Sequence, residues 1–475
     1  MDPNEFRSRG HEVVDWICDY LQNIEEYPVK SQVKPGEVFS RLPEKPPHNP
    51  ESFDKMMTDF EEIILPGITH WQSPNFFAYF PANSSPPSIL AEMITSALAT
   101  QCMIWETSPA AAELEQMVMN WLREMIGLPA GFEGVIQDTA STATLAALVT
   151  ARERTSGFLI NESGFHNSGN LRIYCSEQTH SSIEKGVKIA GFGRENLVRI
   201  RTKDDFSIDM AALETAIKED VANGYVPCAV VATIGTTGTT AIDPLRPVGE
   251  LCAIHNIWLH VDAALAGTAL ILPEYSWMID GKEYIDSFVF NPHKWMFTNF
   301  DCSAYFVKDA GLLIRTFEIL PEYLKTRTRG EVNDYRDWGI PLGRRFRALK
   351  LWFVIRSYGL EGLRERVRNH ITYAAELAES INRHPDFELM APAPLNTVAF
   401  RFNPGGSTSE KLNRLNELLN HRLNDSGKLY LTHTRLKGNY VLRMVTSQTN
   451  VSIIHVRNAW KLIAEEAEKL KSESV

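Results

Sequence analysis

Ser287-Phe288-Val289-Phe290-Asn291-Pro292-His293-Lys294-Trp295 is the stretch on which the fold turns. Four residues of buried-strand character lead directly into a turn where a lysine stands between His and Trp. A lysine at a strand end, against Trp and Pro, is badly placed for a surface charge. Partial burial there lowers its pKa toward that of a nucleophilic amine, which makes Lys294 a candidate for a Schiff base. A lone lysine is ordinarily solvated, so the reading has to be carried by what surrounds it.

The same pattern of apolar run and polar turn recurs outward from this point. Gly134–Gln137, Arg172–Cys175, Cys228–Thr233, Ile257–Val261 and Ser303–Val307 are short β-rich runs, and Met210, Leu213, Ile217 and Val221 mark one helix face between two of them. Such runs separated by helices predict an α/β fold with a mostly parallel sheet covered on both faces. Ligands of these sheets bind beyond the carboxyl ends of the strands. Toward the start, Val13, Ile17, Leu21 and Ile24 recur at helical spacing before a Pro-rich stretch from Pro28 to Pro50, predicting a helix and an extended arm that packs on a second subunit. After Gly359, strand-like Asn396–Phe402, Lys428–Thr432 and Tyr440–Val445 alternate with amphipathic helices, as in a small α+β lobe. The boundaries read from these changes are 1–85 for an N-terminal helical arm, 86–359 for a large domain and 360–475 for a small one.

Polar residues cluster where the runs end. His260-Val261-Asp262-Ala263-Ala264 closes one run with a carboxylate among small residues. An isolated buried charge is costly, so Asp262 needs a partner. A pyridinium nitrogen is one, kept protonated so that its ring acts as an electron sink; an ordinary helix-capping Asp is the alternative. Gln137-Asp138-Thr139-Ala140-Ser141-Thr142-Ala143-Thr144 opens a helix with small hydroxyl residues, which suits a phosphate, although simple N-capping explains any one of them. His180 follows the run at Arg172–Cys175 and belongs to the same edge, either stacked on an aromatic ligand or as a structural histidine.

Composition narrows the field. The 475 residues are 44% hydrophobic and 23% charged, ordinary for a globular protein. With 48 basic against 59 acidic residues the net charge is −11, which argues against a general nucleic-acid or anionic-membrane binder. Met1-Asp2-Pro3-Asn4-Glu5 lacks the basic start of a secretory signal, and the apolar window Ile89–Trp105 is broken by Glu92, Thr95, Ser96, Thr100 and Gln101, as in a buried or interface helix rather than a membrane span. The six cysteines form no CxxC pair, so no metal site is expected and reduced thiols in a cytoplasmic protein are.

Together with Asn75–Pro81, Ser108–Glu115, Gly235–Gly238, Asn299–Ser303 and Asp334–Arg347, these elements resemble the group II pyridoxal-phosphate (PLP)-dependent amino-acid decarboxylases, most closely the aromatic-L-amino-acid (DOPA) decarboxylases, in order and over nearly the whole chain. The resemblance implies the aspartate-aminotransferase-like PLP fold type I, a mostly parallel seven-stranded sheet, and an obligate homodimer with active sites at the subunit interface. It also implies that Lys294 holds PLP, Asp262 pairs with the pyridinium nitrogen and His180 stacks on the ring. By the same likeness Ala140, Ser141 and Asn291 hold the phosphate with His293 beside it, and Thr233 and Ala264 line the cofactor. The charged segment Lys325–Asp334 has the composition of a mobile surface loop. In the family such a loop closes over the neighbouring subunit's site and delivers a tyrosine, matched here by Tyr335, to protonate the substrate carbon.

For the substrate, the resemblance implies an aromatic-lined pocket of Trp71, Tyr79, Phe80 and Pro81 with His180, and Gly343 stands where glycine accompanies indole or catechol substrates. Departures from the family pattern touch the same pocket. Ala82 lacks a threonine hydroxyl that meets a catechol, Gln101 and Met103 replace apolar and aromatic residues, and Leu265 replaces an aromatic. The implied reaction is decarboxylation of an aromatic L-amino acid (DOPA, tryptophan, 5-hydroxytryptophan, phenylalanine or tyrosine) to the amine and carbon dioxide. A histidine decarboxylase, an aromatic aldehyde synthase and an inactive scaffolding dimer are the alternatives.

Overall fold

Strands that are apolar on both faces are buried only when helices cover the sheet from both sides, and this requirement organises most of the chain. A computed structural model describes residues 1–167, 169–319 and 331–473. Its first helix, α1 (Pro3–Gln22), is capped by the Asp2 carboxylate, which accepts from the N–H groups of Asn4 and Glu5. Helices α2 (Pro86–Leu98) and α3 (Pro109–Met125) then lead to β1 (Glu133–Gln137). There follow α4 (Ala140–Ser156), β2 (Leu171–Ser176), α5 (Ser182–Ile189), β3 (Leu197–Ile200), α6 (Met210–Ala222), β4 (Val226–Thr233), α7 (Leu245–His255), β5 (Trp258–Asp262), β6 (Ser287–Phe290), α8 (Pro292–Trp295) and β7 (Ser303–Val307).

These seven strands form one sheet in the order β1-β7-β6-β5-β4-β2-β3. Only β7 runs antiparallel, to both β1 and β6. Six of the seven match the apolar runs read from the sequence to within a residue or two; β3 was not anticipated. Helix α4 buries Ala143, Ala146, Ala147, Leu148 and Ala151 against Ile173, Val231 and Tyr305 of the sheet. Short alanine side chains let this helix lie close to the strands. The expected face of α6 holds at Leu213 and Ile217, which are buried, but Val221, in the last turn, is 48% exposed.

The long helix α9 (Arg347–Arg383) is interrupted at Gly359, whose φ of +63° suits glycine and breaks the helix where the sequence pattern changes. Beyond it, β8 (Phe387–Leu389), β9 (Thr397–Phe402), α10 (Ser409–Asp425), β10 (Thr432–Leu436), β11 (Asn439–Val445) and α11 (Ile453–Glu473) complete the chain. The second sheet has the order β10-β11-β9-β8, with β10 antiparallel to β11 and β8 antiparallel to β9.

The chain divides by its internal contacts into two units: residues 82–372 with 391–397, and residues 1–81 with 373–390 and 398–475. Within the second, the backbone of the N-terminal segment is bonded to the C-terminal part. Val29 N–H donates to Gly427 O at 2.8 Å, Phe77 N–H to Tyr430 O at 3.0 Å, and Val445 N–H to Phe77 O at 3.0 Å. Residues 428–431, expected as part of a strand, instead meet this segment through a parallel bridge between Phe76 and Tyr430, and β10 begins at Thr432. Phe76 is sealed among Val29, Ala78, Trp71 and Tyr430. Among the described residues no helix is long and apolar enough to cross a membrane.

Candidate functional site

Parallel strands end on a common edge, so the positions that follow β2, β4, β5 and β6 converge by topology alone. Thr233 ends β4, Asp262 ends β5, and the two are register partners. Pairing continues beyond the strands. Ala263 N–H donates to Val289 O and Asn291 N–H to Ala264 O, both at 2.9 Å, which lays the lysine turn beside the aspartate.

Lys294 is half-buried in α8. Its backbone carbonyl accepts the Asn83 side-chain amide at 2.7 Å, Asn83 N–H donates to His293 O at 3.1 Å, and Ser85 Oγ donates to Phe297 O at 2.7 Å. Asn83 and Ser85 were missed by sequence reasoning. Their signal was the polar stretch Asn83-Ser84-Ser85 ahead of a Pro-Pro helix start.

His180 Nδ1 accepts Ser182 N–H at 3.2 Å and lies 2.8 Å from Ser182 Oγ, so the proton of the neutral ring is on Nε2. The His180 residue is nevertheless exposed. The surrounding walls still remove enough water to pull its pKa below the ordinary histidine value; Asp262 opposes that shift, and the charges of Lys294 and Lys185 add to it. The imidazole, carboxylate and ammonium therefore share one electrostatic neighbourhood. Asp262 is almost fully buried, and its Oδ1 accepts Ala264 N–H at 3.1 Å.

The remaining groups fit PLP. Thr233 Oγ1 is buried with no hydrogen-bond partner among the described residues. An orphaned hydroxyl of this kind costs about 1–3 kcal/mol, which a ligand acceptor would offset. At the start of α4, Thr139 Oγ1 caps by accepting Thr142 N–H at 3.4 Å, while the leading N–H groups of Ala140 and Ser141 have no intrahelical acceptor. Asn291 Oδ1 accepts Ser303 Oγ–H at 2.6 Å. His293 Nδ1 accepts Cys302 N–H at 2.9 Å; burial, helped by Lys294, holds its pKa at about 3, so this neutral ring clamps α8 to the lead-in of β7. Asp243, also missed, accepts Thr233 N–H at 2.8 Å and Ile208 N–H at 2.7 Å, and burial pushes its pKa up to about 6.

Tyr335 is enclosed by residues of its own chain. Of the loop expected to carry it, residues 325–330 lie outside the described residues, and Tyr335 itself is 2% exposed in a short helical turn, Tyr335–Asp337. Its ring sits 5.4 Å from Trp338 and 4.9 Å beneath the Arg344 guanidinium. Burial pushes its hydroxyl well above the ordinary range, and the strongest charges acting on it are Glu115 and Arg344 rather than the His180 group. The apolar cluster shared by Trp338, Val135 and Ala146 draws the ring inward, where a surface loop would have left it free.

Arg344 organises a second group of candidates. It pairs with Glu115 at 2.6 Å, both buried, and its N–H donates to Gln101 Oε1 at 2.6 Å. Gln101 Nε2 stands 3.4 Å from where a Cβ on Gly343 would be. Met103 O accepts Arg336 N–H at 2.9 Å. Gln101, Met103, Gly343 and Tyr335 are thus brought together, and Tyr335 and Gly343 line a cavity with Gln137 and Asp138. Leu265 is buried and Ala82 half-buried in this unit. Trp71, Tyr79, Phe80 and Pro81 belong to the other unit, where Trp71 stacks on Tyr79 at 5.7 Å, Tyr79 Oη lies 3.3 Å from Tyr430 Oη, and Arg443 covers the Phe80 ring at 4.7 Å.

Residues 35–403 match the pyridoxal-dependent decarboxylase conserved domain. The chain is 42% identical to tyrosine decarboxylase 4 of Petroselinum crispum, covering 100% of this chain and 95% of the relative. It is 43% identical to phenylacetaldehyde synthase of Arabidopsis thaliana, covering 99% and 97%. The crystal structure of Oryza sativa TDC with PLP and tryptamine superposes with a TM-score of 0.95 at 38% identity, covering 99% of both chains. The α/β architecture is that of PLP fold type I.

Proposed function

The chain belongs to the pyridoxal-dependent decarboxylase family, and from that premise we propose that it removes the α-carboxylate of a flat aromatic L-amino acid, releasing the amine and carbon dioxide. The observation that carries the reading is the backbone pairing of Ala263 with Val289 and of Asn291 with Ala264, which sets the Lys294 turn beside Asp262 on the strand-end edge that His180 also follows. PLP, when bound, supplies a sink for the electron pair left on Cα as the carboxylate departs. Lys294 would tether it, Asp262 would hold a proton on its ring nitrogen, and His180 would lie against its face with Nε2–H directed at the substrate carboxylate. Ala140, Ser141 and Asn291 would hold the phosphate with His293 nearby, and Thr233 and Ala264 would line the ring.

A tyrosine decarboxylase and a tryptamine-bound structure among the relatives support an aromatic substrate drawn from tyrosine, tryptophan, 5-hydroxytryptophan, phenylalanine and DOPA. The enclosed hydroxyl of Tyr335 argues for a packing role. The other tyrosine flanking the charged segment, Tyr323, lies outside the described residues and takes over the proton-delivery candidacy. The phenylacetaldehyde synthase relative keeps an aldehyde-forming reaction as the second reading. Incubating the purified holoenzyme with each aromatic amino acid and with histidine decides between them. Amine without ammonia or peroxide supports decarboxylation, and equimolar aldehyde and ammonia would overturn it.

The working form is a homodimer on this reading, supported by Leu90, Met93, Ile94 and Leu98, which leave one face of α2 apolar and exposed. A monomeric mass by light scattering at micromolar concentration would refute it. Cytoplasmic residence is supported by six cysteines that form no disulfide.

A further inference from the structure

Beneath Asp262 runs a chain of buried polar side chains to which the reaction assigns no part. His260 and Asp262 are two apart on β5 and therefore point to the same face of the sheet. His260 is fully buried, and both of its ring nitrogens meet hydroxyls: Nδ1 lies 2.9 Å from Ser287 Oγ, and Nε2 lies 3.2 Å from Thr144 Oγ1. Ser287 is the cross-strand partner of His260 on β6. Its hydroxyl oxygen also accepts the indole N–H of Trp258 at 2.8 Å.

The indole nitrogen only donates, so Ser287 Oγ accepts from Trp258 and keeps a second lone pair and its own proton for His260 Nδ1. A neutral imidazole donates at one nitrogen and accepts at the other, and both hydroxyls can complement it in either tautomer. Thr144 lies one turn below Ala140 on the same face of α4, the helix whose first turn offers free N–H groups. The contact from His260 to Thr144 therefore joins the helix that presents the anion site to the strand that presents Asp262.

We propose that His260 is a positioning residue: bonded to Ser287 and Thr144, it fixes the spacing between the start of α4 and the Asp262 carboxylate, and so matches the protein to a rigid ligand with an anion at one end and a basic ring nitrogen at the other. The ring is neutral, since burial pulls its pKa down to about 4 against the opposing charge of Asp262. The inference rests on PLP being that ligand.

The test titrates PLP into apo-enzyme of the wild type, Thr144→Val, Ser287→Ala and His260→Phe, following the visible absorption and induced circular dichroism of the bound cofactor. Removing one buried bond should raise the PLP dissociation constant about tenfold. At saturating PLP it should also shift the visible band, because the grip on the ring nitrogen has changed. A merely structural role would lower the melting temperature and leave that band in place, which would overturn the proposal. Thr144→Val decides the matter if His260→Phe does not fold: wild-type affinity together with a wild-type band in Thr144→Val refutes the bridge. A wild-type apo-protein that gains no visible band with PLP would refute the cofactor reading itself and the bridge with it.

Discussion

An amine proposed to form a covalent tether, as at Lys294, is useful only if its backbone cannot drift, and that restraint comes from Asn83. Lys294→Ala should abolish amine formation and the borohydride-sensitive visible band, while Asn83→Ala keeps the amine and loosens the turn that carries it. The second variant should lose about 1–3 kcal/mol of stability, measured by urea unfolding, because it strips a donor from a carbonyl in a tightly packed turn. Tyr335→Phe should leave the amine as product and change stability by no more than about 1 kcal/mol, since among the described residues its buried hydroxyl has at most the Asn333 side chain nearby and no partner of good geometry. Diversion to aldehyde in this variant, but not in Tyr323→Phe, would return Tyr335 to proton delivery. The strand-end positions of Lys294, Asp262 and His180 were legible in the sequence because each follows an apolar run. Asn83 and Asp243 were not, because what they hold, His293 with Lys294 and Thr233 with Ile208, is joined to them only by the folded chain.

Among the elements, the Glu115–Arg344 pair is a strut linking α3, the end of β1 and the Gly343 segment: Glu115 also accepts Ile136 N–H, and Arg344 donates to Ile136 O and Cys102 O. Arg344→Met would strand a buried carboxylate and should cost about 3–5 kcal/mol in urea unfolding. Gly343→Ser should act more locally. Its side chain would press on Gln101 Nε2, so we expect a KM increase larger for tryptophan than for tyrosine, read from amine formation with each. Equal changes for both would remove Gly343 from substrate selection. The strands that escaped sequence reading, β3, β8 and most of β10, are edge strands. β3 and β10 each have one buried residue, so neither shows the apolar continuity that marks β4 to β7.

For the whole molecule, burial keeps three histidines neutral: His260 at about 4, His293 at about 3 and His370 at about 3. Each has a folded pKa below the ordinary 6.5, so the unfolded chain takes up these protons first as the solution is acidified. Their contribution is present above about pH 6.5 and is lost as pH falls toward 4. Asp243, raised to about 6, has the opposite slope, contributing fully below about 4 and losing that contribution as pH rises through 6. With three groups against one, these residues should cost on the order of 4 kcal/mol between pH 7 and pH 5, visible as a fall in the urea midpoint. A flat midpoint across that interval would mean that these rings are not held neutral. The backbone bonds from Val29 and Phe77 to Gly427, Tyr430 and Val445 carry a different consequence, one for biosynthesis. On the ribosome, Phe76 and Phe77 emerge long before the residues that will cover them have been translated, and they remain sticky until synthesis is nearly finished. A message truncated anywhere ahead of codon 427 therefore yields aggregate or chaperone-bound chain rather than a working fragment.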